Sequence, residues 1–178
     1  MIVEPLALRG AALLRGERHR DERGHLRKVL VAGEAREHGL DVSVAEVVTT
    51  ANEVAGTIRG MHYQVAPATE AKTLWVTDGA LHDVLVDLRP DEPTYGQWVG
   101  VDLAASDDVA LHVPAGLAHG YQTLEDDTRL VYLISASHSP GHARTLRWDD
   151  PTVGIAWPLE PTRISAKDRE GHPWPPTH

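Results

Sequence analysis

The 178-residue chain is dominated by short runs in which apolar and polar residues alternate, a period typical of half-buried β-strands. In one of these runs, Leu130, Tyr132 and Ile134 fall on the same face. The runs with a strand-like composition are VSVAEVVTT (42–50), TLWVTDGALHDVLVDL (73–88), VALHVPAG (109–116) and TRLVYLIS (128–135). They predict a protein built mainly from β-strands.

Turn residues separate these runs at short intervals. Asp78-Gly79 divides the run 73–88 into two halves, which predicts a β-hairpin. The best helical candidate is AGEAREHGL (32–40), one short helix that Gly39 closes. Many short strands at this spacing indicate a sandwich or a barrel. We see no repeat or linker and predict one domain over 1–178, with a Pro-rich tail at about 169–178 that is ordered by docking.

Charge and composition narrow the function classes. The formal net charge is −9, which argues against general binding to nucleic acid or to a membrane surface, although a local cation cluster can still hold a phosphate. The chain has no Cys, so disulfides, thiolate metal sites and cysteine nucleophiles are excluded. No apolar run has the length of a signal peptide core or a membrane span. We therefore expect a cytoplasmic enzyme or binding protein.

Two segments place a histidine at the end or start of a strand. HVPAGLAHG (112–120) has the form Pro-x-Gly-x-x-His and ends near His119, and GTIRGMHYQ (56–64) contains His62. The pair resembles the two motifs of the cupin superfamily, whose fold is a double-stranded β-helix, or jelly roll. A metal-binding cupin supplies His-x-His and Glu from its first motif, whereas this chain has His62-Tyr63-Gln64. Two histidines are too few for a zinc-type site, so we predict no metal and no cofactor.

A more specific resemblance covers about residues 1–168. The chain resembles the dTDP-4-dehydrorhamnose 3,5-epimerase family of nucleotide-sugar epimerases, in segments whose order and spacing match. These segments are DERG (21–24), RGMHYQ (59–64), AK (71–72), DVLVDLR (83–89), PTYGQW (93–98), VPAGLAHGY (113–121), VYL (131–133), WDDPTVGIAWP (148–158) and ISAKD (164–168).

The resemblance implies a reaction and its catalytic residues. A carbon beside a ketone loses a proton as an enolate, and inversion needs a base on one face and an acid on the other. His62 resembles the family base, and an imidazole with an unperturbed pKa near ~6.5 suits that role. Asp168 resembles the carboxylate that orients it, as in other His–Asp pairs. Tyr132 resembles the acid, and Lys72 resembles the cation beside the enolate oxygen.

The resemblance also implies substrate-binding residues and a partner. Arg59 matches a pocket position suited to a phosphate or sugar oxygen. Arg23 and Lys28 come from an N-terminal segment that, in the family, reaches a neighbouring subunit, so the resemblance implies a homodimer. The substrate-binding residues expected for a nucleotide sugar are Arg23, Lys28, Arg59, Gln64, His119 and His138.

The departures from the family pattern lie in the nucleotide-contacting segments. His25, Leu26, Arg27 and Lys28 replace two aromatics and a Glu, and VVTTANEV (47–54) replaces a run rich in amides and hydroxyls. The nucleotide and the inverted carbon, C3 or C5, therefore stay open. Two other functions also fit the residues, namely a keto-isomerase or related proton-shuffling enzyme on a modified sugar or small ketone, and a non-catalytic cupin that binds a sugar or an anion.

Overall fold

The computed structural model describes residues 1–175. Apart from two short helices, its regular elements are β-strands. The strands are β1 (Ile2–Pro5), β2 (Ala12–Arg15), β3 (Glu17–Asp21), β4 (Gly24–Lys28), β5 (Glu46–Asn52), β6 (Ile58–Gln64), β7 (Lys72–Asp78), β8 (Ala80–Asp87), β9 (Trp98–Ala104), β10 (Val109–Val113), β11 (Leu117–Thr123), β12 (Thr128–Ile134) and β13 (Ala143–Thr145). The helices are α1 (Ala32–Glu37) and α2 (Ala166–Arg169).

Two antiparallel sheets form the body of the molecule. One has the strand order β1-β2-β10-β7-β12-β5, and the other has the order β13-β6-β11-β8-β9. Their inner faces share one core of buried side chains, which includes Leu74 and Leu111 from the first sheet and Leu85 and Leu117 from the second. The architecture is the all-β jelly roll that the sequence predicted.

The prediction of a hairpin at Asp78-Gly79 is wrong. The strands on either side of this dipeptide, β7 and β8, do not pair, because β7 lies between β10 and β12 whereas β8 lies between β11 and β9. Gly79 has φ +71°, and a Cβ there would lie 2.5 Å from Thr128 Oγ1. The glycine therefore forms a tight corner that carries the chain from one sheet to the other.

Alternation along β8 separates two layers of apolar packing. Leu81 and Leu85 point into the core between the sheets, whereas Val84 and Val86 point outward into a second cluster. The C-terminal segment covers this second cluster, and its Trp174 N–H donates to Asp150 Oδ2 at 2.8 Å. The described part of the Pro-rich tail is thus docked on the barrel, and the end of the tail, 176–178, lies outside the described residues.

Helix α1 and the β3–β4 hairpin lie outside the two large sheets, and β5 is an edge strand of the six-stranded sheet. The predicted helix at 32–40 forms as α1, and Gly39 follows it with φ +75°. The strand-like run 42–50 begins as a strand only at Glu46 and continues to Asn52. Strands β3 and β4 form a hairpin that belongs to neither large sheet. Among residues 1–175, no helix has the length and apolar character required to cross a membrane.

Candidate active site

A cavity of about 220 Å³ opens between the two sheets at one end of the barrel. Side chains from both sheets form its wall. Its lining residues are Val48, Thr50, Arg59, His62, Lys72, His119, Tyr121, Tyr132 and Ile134. Five of these nine residues were predicted from the sequence as site residues, namely Arg59, His62, Lys72, His119 and Tyr132.

A bulge between β6 and β11 directs Arg59 and His62 into the same cavity. His62 pairs with His119 and Arg59 pairs with Tyr121, so three steps along β6 oppose only two along β11. In a regular strand, side chains three residues apart point to opposite faces. The extra residue at the bulge returns the two side chains to the same face. Gly60 lies at the bulge, where a Cβ would come within 2.5 Å of Gly120 Cα, so the close approach of the strands requires glycine.

His62 and Asp168 form a pair at the cavity wall, in which the carboxylate is buried and the imidazole is partly exposed. His62 Nε2 lies 2.7 Å from Asp168 Oδ1, and Asp168 Oδ2 accepts the Gly60 N–H at 3.3 Å. Asp168 lies on α2, which Ser165 caps by accepting the Asp168 N–H. Burial alone would raise the pKa of Asp168, but the contacts with His62, Gly60 and Ser165 outweigh it and hold that pKa below its ordinary value. The carboxylate is therefore charged and can orient the imidazole.

Tyr132 approaches the cavity from the opposite wall. It lies on β12 of the six-stranded sheet, whereas His62 lies on β6 of the five-stranded sheet. Its ring meets the His119 ring edge-on, with centroids 6.0 Å apart. Burial, with smaller contributions from Tyr121 and Asp83, raises the pKa of the Tyr132 phenol well above its ordinary value. The hydroxyl is thus protonated and is suited to donate.

His119 is paired with a carboxylate that the sequence prediction omitted. Its Nε2 lies 3.0 Å from Asp83 Oδ2, and both side chains are almost fully buried. Burial raises the pKa of Asp83, and the contact with His119 offsets this only in part. The sequence could have indicated that Asp83 has a partner. Asp83 shares the inward face of β8 with Leu81 and Leu85, where an unpaired charge would be costly.

Lys72 has a similar unforeseen partner. Its Nζ lies 2.7 Å from Glu70 Oε1, and each side chain is only 10% exposed. Lys72 lies at the start of β7, where its parity with Leu74 directs it inward, as the sequence indicated. Lys72 therefore lines the cavity while its ammonium group is paired with the Glu70 carboxylate.

A hydrogen-bonded group of polar side chains holds Arg59. Its Nε donates to Asn52 Oδ1 at 2.7 Å, and the Tyr121 hydroxyl donates to the same oxygen at 3.3 Å. The Tyr121 hydroxyl also lies 3.2 Å from Thr50 Oγ1. The sequence prediction omitted these three supporting residues, although Tyr121 closes the matched segment VPAGLAHGY.

Gln64 and His138 lie at a recess of about 280 Å³ beside the cavity, which His62 and Lys72 also line. The Gln64 amide is held by the chain itself, since it donates to Ala68 O at 2.9 Å and accepts the Ser139 N–H at 2.6 Å. It therefore shapes the loop that carries His138.

Arg23 and Lys28 lie outside this cavity. Both belong to the β3–β4 hairpin, where Arg23 pairs with Asp21 and Lys28 Nζ lies 3.8 Å from Glu17. Arg23 lines a separate recess formed only by residues of the hairpin. Within a single chain, the structure does not bring these two cations to His62.

The arrangement offers a base, an acid and a cation around one cavity. Across residues 1–175, no three His, Asp or Glu side chains are grouped as metal ligands would be. His62 and Tyr132 face the cavity from opposite walls, and Lys72 lines the same cavity. Such a site is suited to moving a proton from one face of a carbon to the other while an adjacent oxygen becomes negative.

Comparisons with known proteins agree with this chemistry. Residues 5–175 match the family model for dTDP-4-dehydrorhamnose 3,5-epimerase. The chain is 36% identical to a Sinorhizobium fredii protein of that name over 97% of this chain and 89% of the relative. It is also similar to the Bacillus anthracis enzyme solved with TDP and PPi, with a TM-score of 0.93, 34% identity and coverage of 97% and 98% of the two chains.

A third similarity is to an enzyme with narrower action. The chain superposes with a TM-score of 0.88 on a 3'-monoepimerase from Streptomyces bikiniensis, solved in complex with dTDP-quinovose. The two are 33% identical, and the match covers 96% of this chain and 86% of the other. The similar structures thus include both a 3,5-epimerase and a monoepimerase.

Proposed function

Since the chain belongs to the dTDP-4-dehydrorhamnose 3,5-epimerase family, we propose that it inverts C3, C5 or both of a 4-keto-6-deoxy nucleotide sugar. The enzyme is an isomerase of deoxysugar biosynthesis. The observation that carries the proposal is that His62 and Tyr132 face one cavity from opposite sheets, with Lys72 beside them.

The first step of the proposed reaction is proton removal. His62 takes the proton from the carbon next to the ketone, and the electron pair of the C–H bond moves into an enolate. Asp168 holds the imidazole and stabilises the imidazolium that forms. Lys72 is placed to stabilise the negative enolate oxygen, and a donor of this kind is typically worth on the order of 10²–10³ in rate.

The second step returns a proton to the other face. The Tyr132 O–H bond breaks, a new C–H bond forms, and the ketone is restored with the configuration inverted. No step passes through a metal or an organic cofactor. Arg59, held by Asn52, is suited to a phosphate or sugar oxygen at the cavity. His119 lines the same cavity, and His138 lines the neighbouring recess.

We also propose that the active form is a homodimer of this single-domain chain. The β3–β4 hairpin is fastened at its base, where Arg18 and Arg27 pair with Asp108. Leu26 on this hairpin is 60% exposed. In the proposed dimer, a second copy of the chain would cover that leucine. Arg23 and Lys28 would then reach the diphosphate of a nucleotide sugar bound in the neighbouring subunit.

The reaction itself tests the proposal. A 4-keto-6-deoxy nucleotide sugar is incubated with the protein, and the coupling constants of the sugar protons are followed by NMR. Inversion at C3 or C5 that survives exhaustive chelation supports the metal-free mechanism. Inversion that is lost on chelation and restored by one divalent metal would overturn it. Tight binding of the sugar with no change at either carbon would indicate a non-catalytic binder.

A further inference from the structure

The side chains of the cavity that can carry a positive charge differ in whether a carboxylate offsets it. These lining residues are Arg59, His62, Lys72 and His119. Each of the last three is paired with a carboxylate of its own, whereas Arg59 forms no ion pair among residues 1–175. The Arg59 Nε donates instead to the neutral Asn52 amide at 2.7 Å. Arg59 is therefore the lining residue whose positive charge is not offset.

Arg59 and Lys72 also differ in their access to solvent. Arg59 is exposed, whereas the Lys72 side chain is only 10% exposed. The backbone of Lys72 is fixed within the six-stranded sheet, where it pairs with Val113 on one side and Ile134 on the other. Free positive charge thus lies at the exposed edge of the cavity, and the positive charge of its buried part is balanced.

Glu70 supplies this balance from a fixed position in the wall. Its Oε1 lies 2.7 Å from Lys72 Nζ, and its side chain is also only 10% exposed. The intervening Ala71 is bound to the end of β12 by two hydrogen bonds. Its N–H donates to Ser135 Oγ at 2.8 Å, and its carbonyl oxygen accepts the Ser135 N–H at 3.0 Å. A carboxylate is seldom buried this far unless it is paired, so Glu70 and Lys72 form one unit.

The proposed substrate has an uncharged end, the keto sugar, and a charged end, the diphosphate. A buried ammonium group without a counter-ion would attract phosphate oxygens into the catalytic end of the cavity. We propose that Glu70 is a positioning residue for Lys72 that also sets specificity, because its carboxylate keeps anions out of the buried end and leaves that end to the keto sugar. This inference rests on the proposed epimerase function.

Pairing with Glu70 leaves Lys72 able to act in the reaction. An ammonium group has three N–H donors, so donation to Glu70 leaves others for the ketone oxygen. The negative charge that develops on this oxygen is accompanied by the proton that His62 gains. A phosphate brings its charge without such a proton, and the Glu70 carboxylate repels it. Glu70 therefore discriminates between an anion that binds and an anion that forms during the reaction.

The test measures the binding of inorganic phosphate by isothermal titration calorimetry, with no sugar present. Glu70→Gln keeps the shape of the side chain and removes its charge, so the Kd for phosphate should fall by at least about 10-fold. Adding Lys72→Met to this variant should restore the weak binding of the unmodified protein. Glu70→Asp keeps the charge and should also bind phosphate weakly. Glu37→Gln, an exposed position on α1, is the matched control for net charge and should leave the Kd unchanged.

Tighter binding of phosphate is a result that a merely structural role for Glu70 would not produce. An unchanged Kd in Glu70→Gln would overturn the inference, and so would tight binding that persists when Lys72→Met is added. The double variant also serves if Glu70→Gln does not fold, because it removes both charges together. A Kd clearly higher in the double variant than in the unmodified protein would show that Lys72 holds phosphate despite Glu70.

The phosphate experiment is independent of turnover, so its failure is distinguishable from failure of the proposed function. The proposed function fails if the unmodified protein binds a 4-keto-6-deoxy nucleotide sugar without exchange at any carbon. Where exchange occurs, inorganic phosphate should inhibit Glu70→Gln in competition with the sugar, at concentrations that leave the unmodified protein unaffected. Equal inhibition of the two proteins would contradict the role of Glu70 in specificity.

Discussion

His62 Nε2 lies 2.7 Å from Asp168 Oδ1, although the two residues are 106 positions apart in the sequence. The pair joins the bulged strand β6 to the short helix α2 near the C-terminus. The carboxylate is only 5% exposed, whereas the imidazole side chain is 40% exposed. The geometry suits Asp168 to position His62, the proposed base.

Changing either member of this pair should impair proton removal. His62→Ala removes the base, so deuterium uptake at every sugar carbon should fall by at least about 10²-fold. Asp168→Asn keeps the shape of the carboxylate but removes its charge, so uptake should fall while the KM for the sugar changes little. NMR of the sugar in deuterated water gives both values. Full exchange in His62→Ala would show that another group is the base.

Replacement of Tyr132 should separate exchange from inversion. Tyr132→Phe keeps the buried ring and its edge-on contact with His119, 6.0 Å between centroids, but removes the proton donor. The enolate should still form, and His62 should return a proton to the face from which it came. Deuterium should therefore enter the sugar without a change in configuration. Complete inversion in this variant would contradict the assignment of Tyr132 as the acid.

Lys72→Met should slow both proton transfers by a similar factor. The ammonium group acts on the enolate oxygen that both steps share, and loss of one such interaction typically costs about 3 kcal/mol, or roughly 10²–10³ in rate. The measurement is kcat for inversion alongside the initial rate of deuterium uptake. If only one of the two rates fell, Lys72 would belong to a single proton transfer rather than to the shared intermediate.

A pH-dependent loss of stability should arise from His112. This residue is 1% exposed and its Nδ1 lies 3.0 Å from Thr73 Oγ1. Burial lowers its pKa from 6.5 to about 4, with partial compensation by Asp41. The unfolded chain therefore binds a proton that the folded chain does not between these two values. The free energy of unfolding should be largest above pH 6.5 and should decrease as the pH falls toward 4, by about 3 kcal/mol for this group.

Urea unfolding at several pH values tests that expectation. His112→Gln removes the titrating ring, so its free energy of unfolding should depend less on pH than that of the unmodified protein. An identical pH dependence in the two proteins would show that His112 does not carry the effect.

The oligomeric state can be tested through the exposed hairpin leucine. Sedimentation at micromolar concentration should give twice the chain mass of 19.5 kDa. Leu26→Glu places a charge on the hairpin surface that a second copy would cover, so this variant should sediment as a monomer and bind the nucleotide sugar more weakly. Leu159→Glu, at a leucine that is 40% exposed elsewhere, is the control and should stay dimeric. A monomer in the unmodified protein would contradict the proposal.

The sequence predicted the barrel because its strands alternate cleanly and its turn residues are frequent. It predicted Asp78-Gly79 as a hairpin because local turn chemistry does not distinguish a turn within one sheet from a corner between two sheets. Strand parity placed Tyr132 and Lys72 inside correctly. Regular alternation would place Arg59 and His62 on opposite faces of β6. Only the bulge between β6 and β11 directs both side chains into the cavity.

The supporting residues were harder to foresee than the residues they support. Glu70 and Asn52 carry ordinary polar side chains in segments with no recognisable motif, and their roles depend on which strands become neighbours. Asp83 was also omitted, although the sequence carried a signal for it, because a carboxylate on an apolar inward face needs a partner. Arg23 and Lys28 stay predictions, since their proposed contacts depend on a second copy of the chain.

In the proposed reaction, His62 and Tyr132 move protons on opposite faces of a carbon beside a ketone. The most direct measurement follows C3 and C5 of a 4-keto-6-deoxy nucleotide sugar by NMR in deuterated water with the unmodified protein. We predict that deuterium enters C3, C5 or both and that inversion occurs only at carbons that have taken up deuterium. Inversion with the original hydrogen retained throughout, or binding of the sugar with no exchange at either carbon, would contradict it.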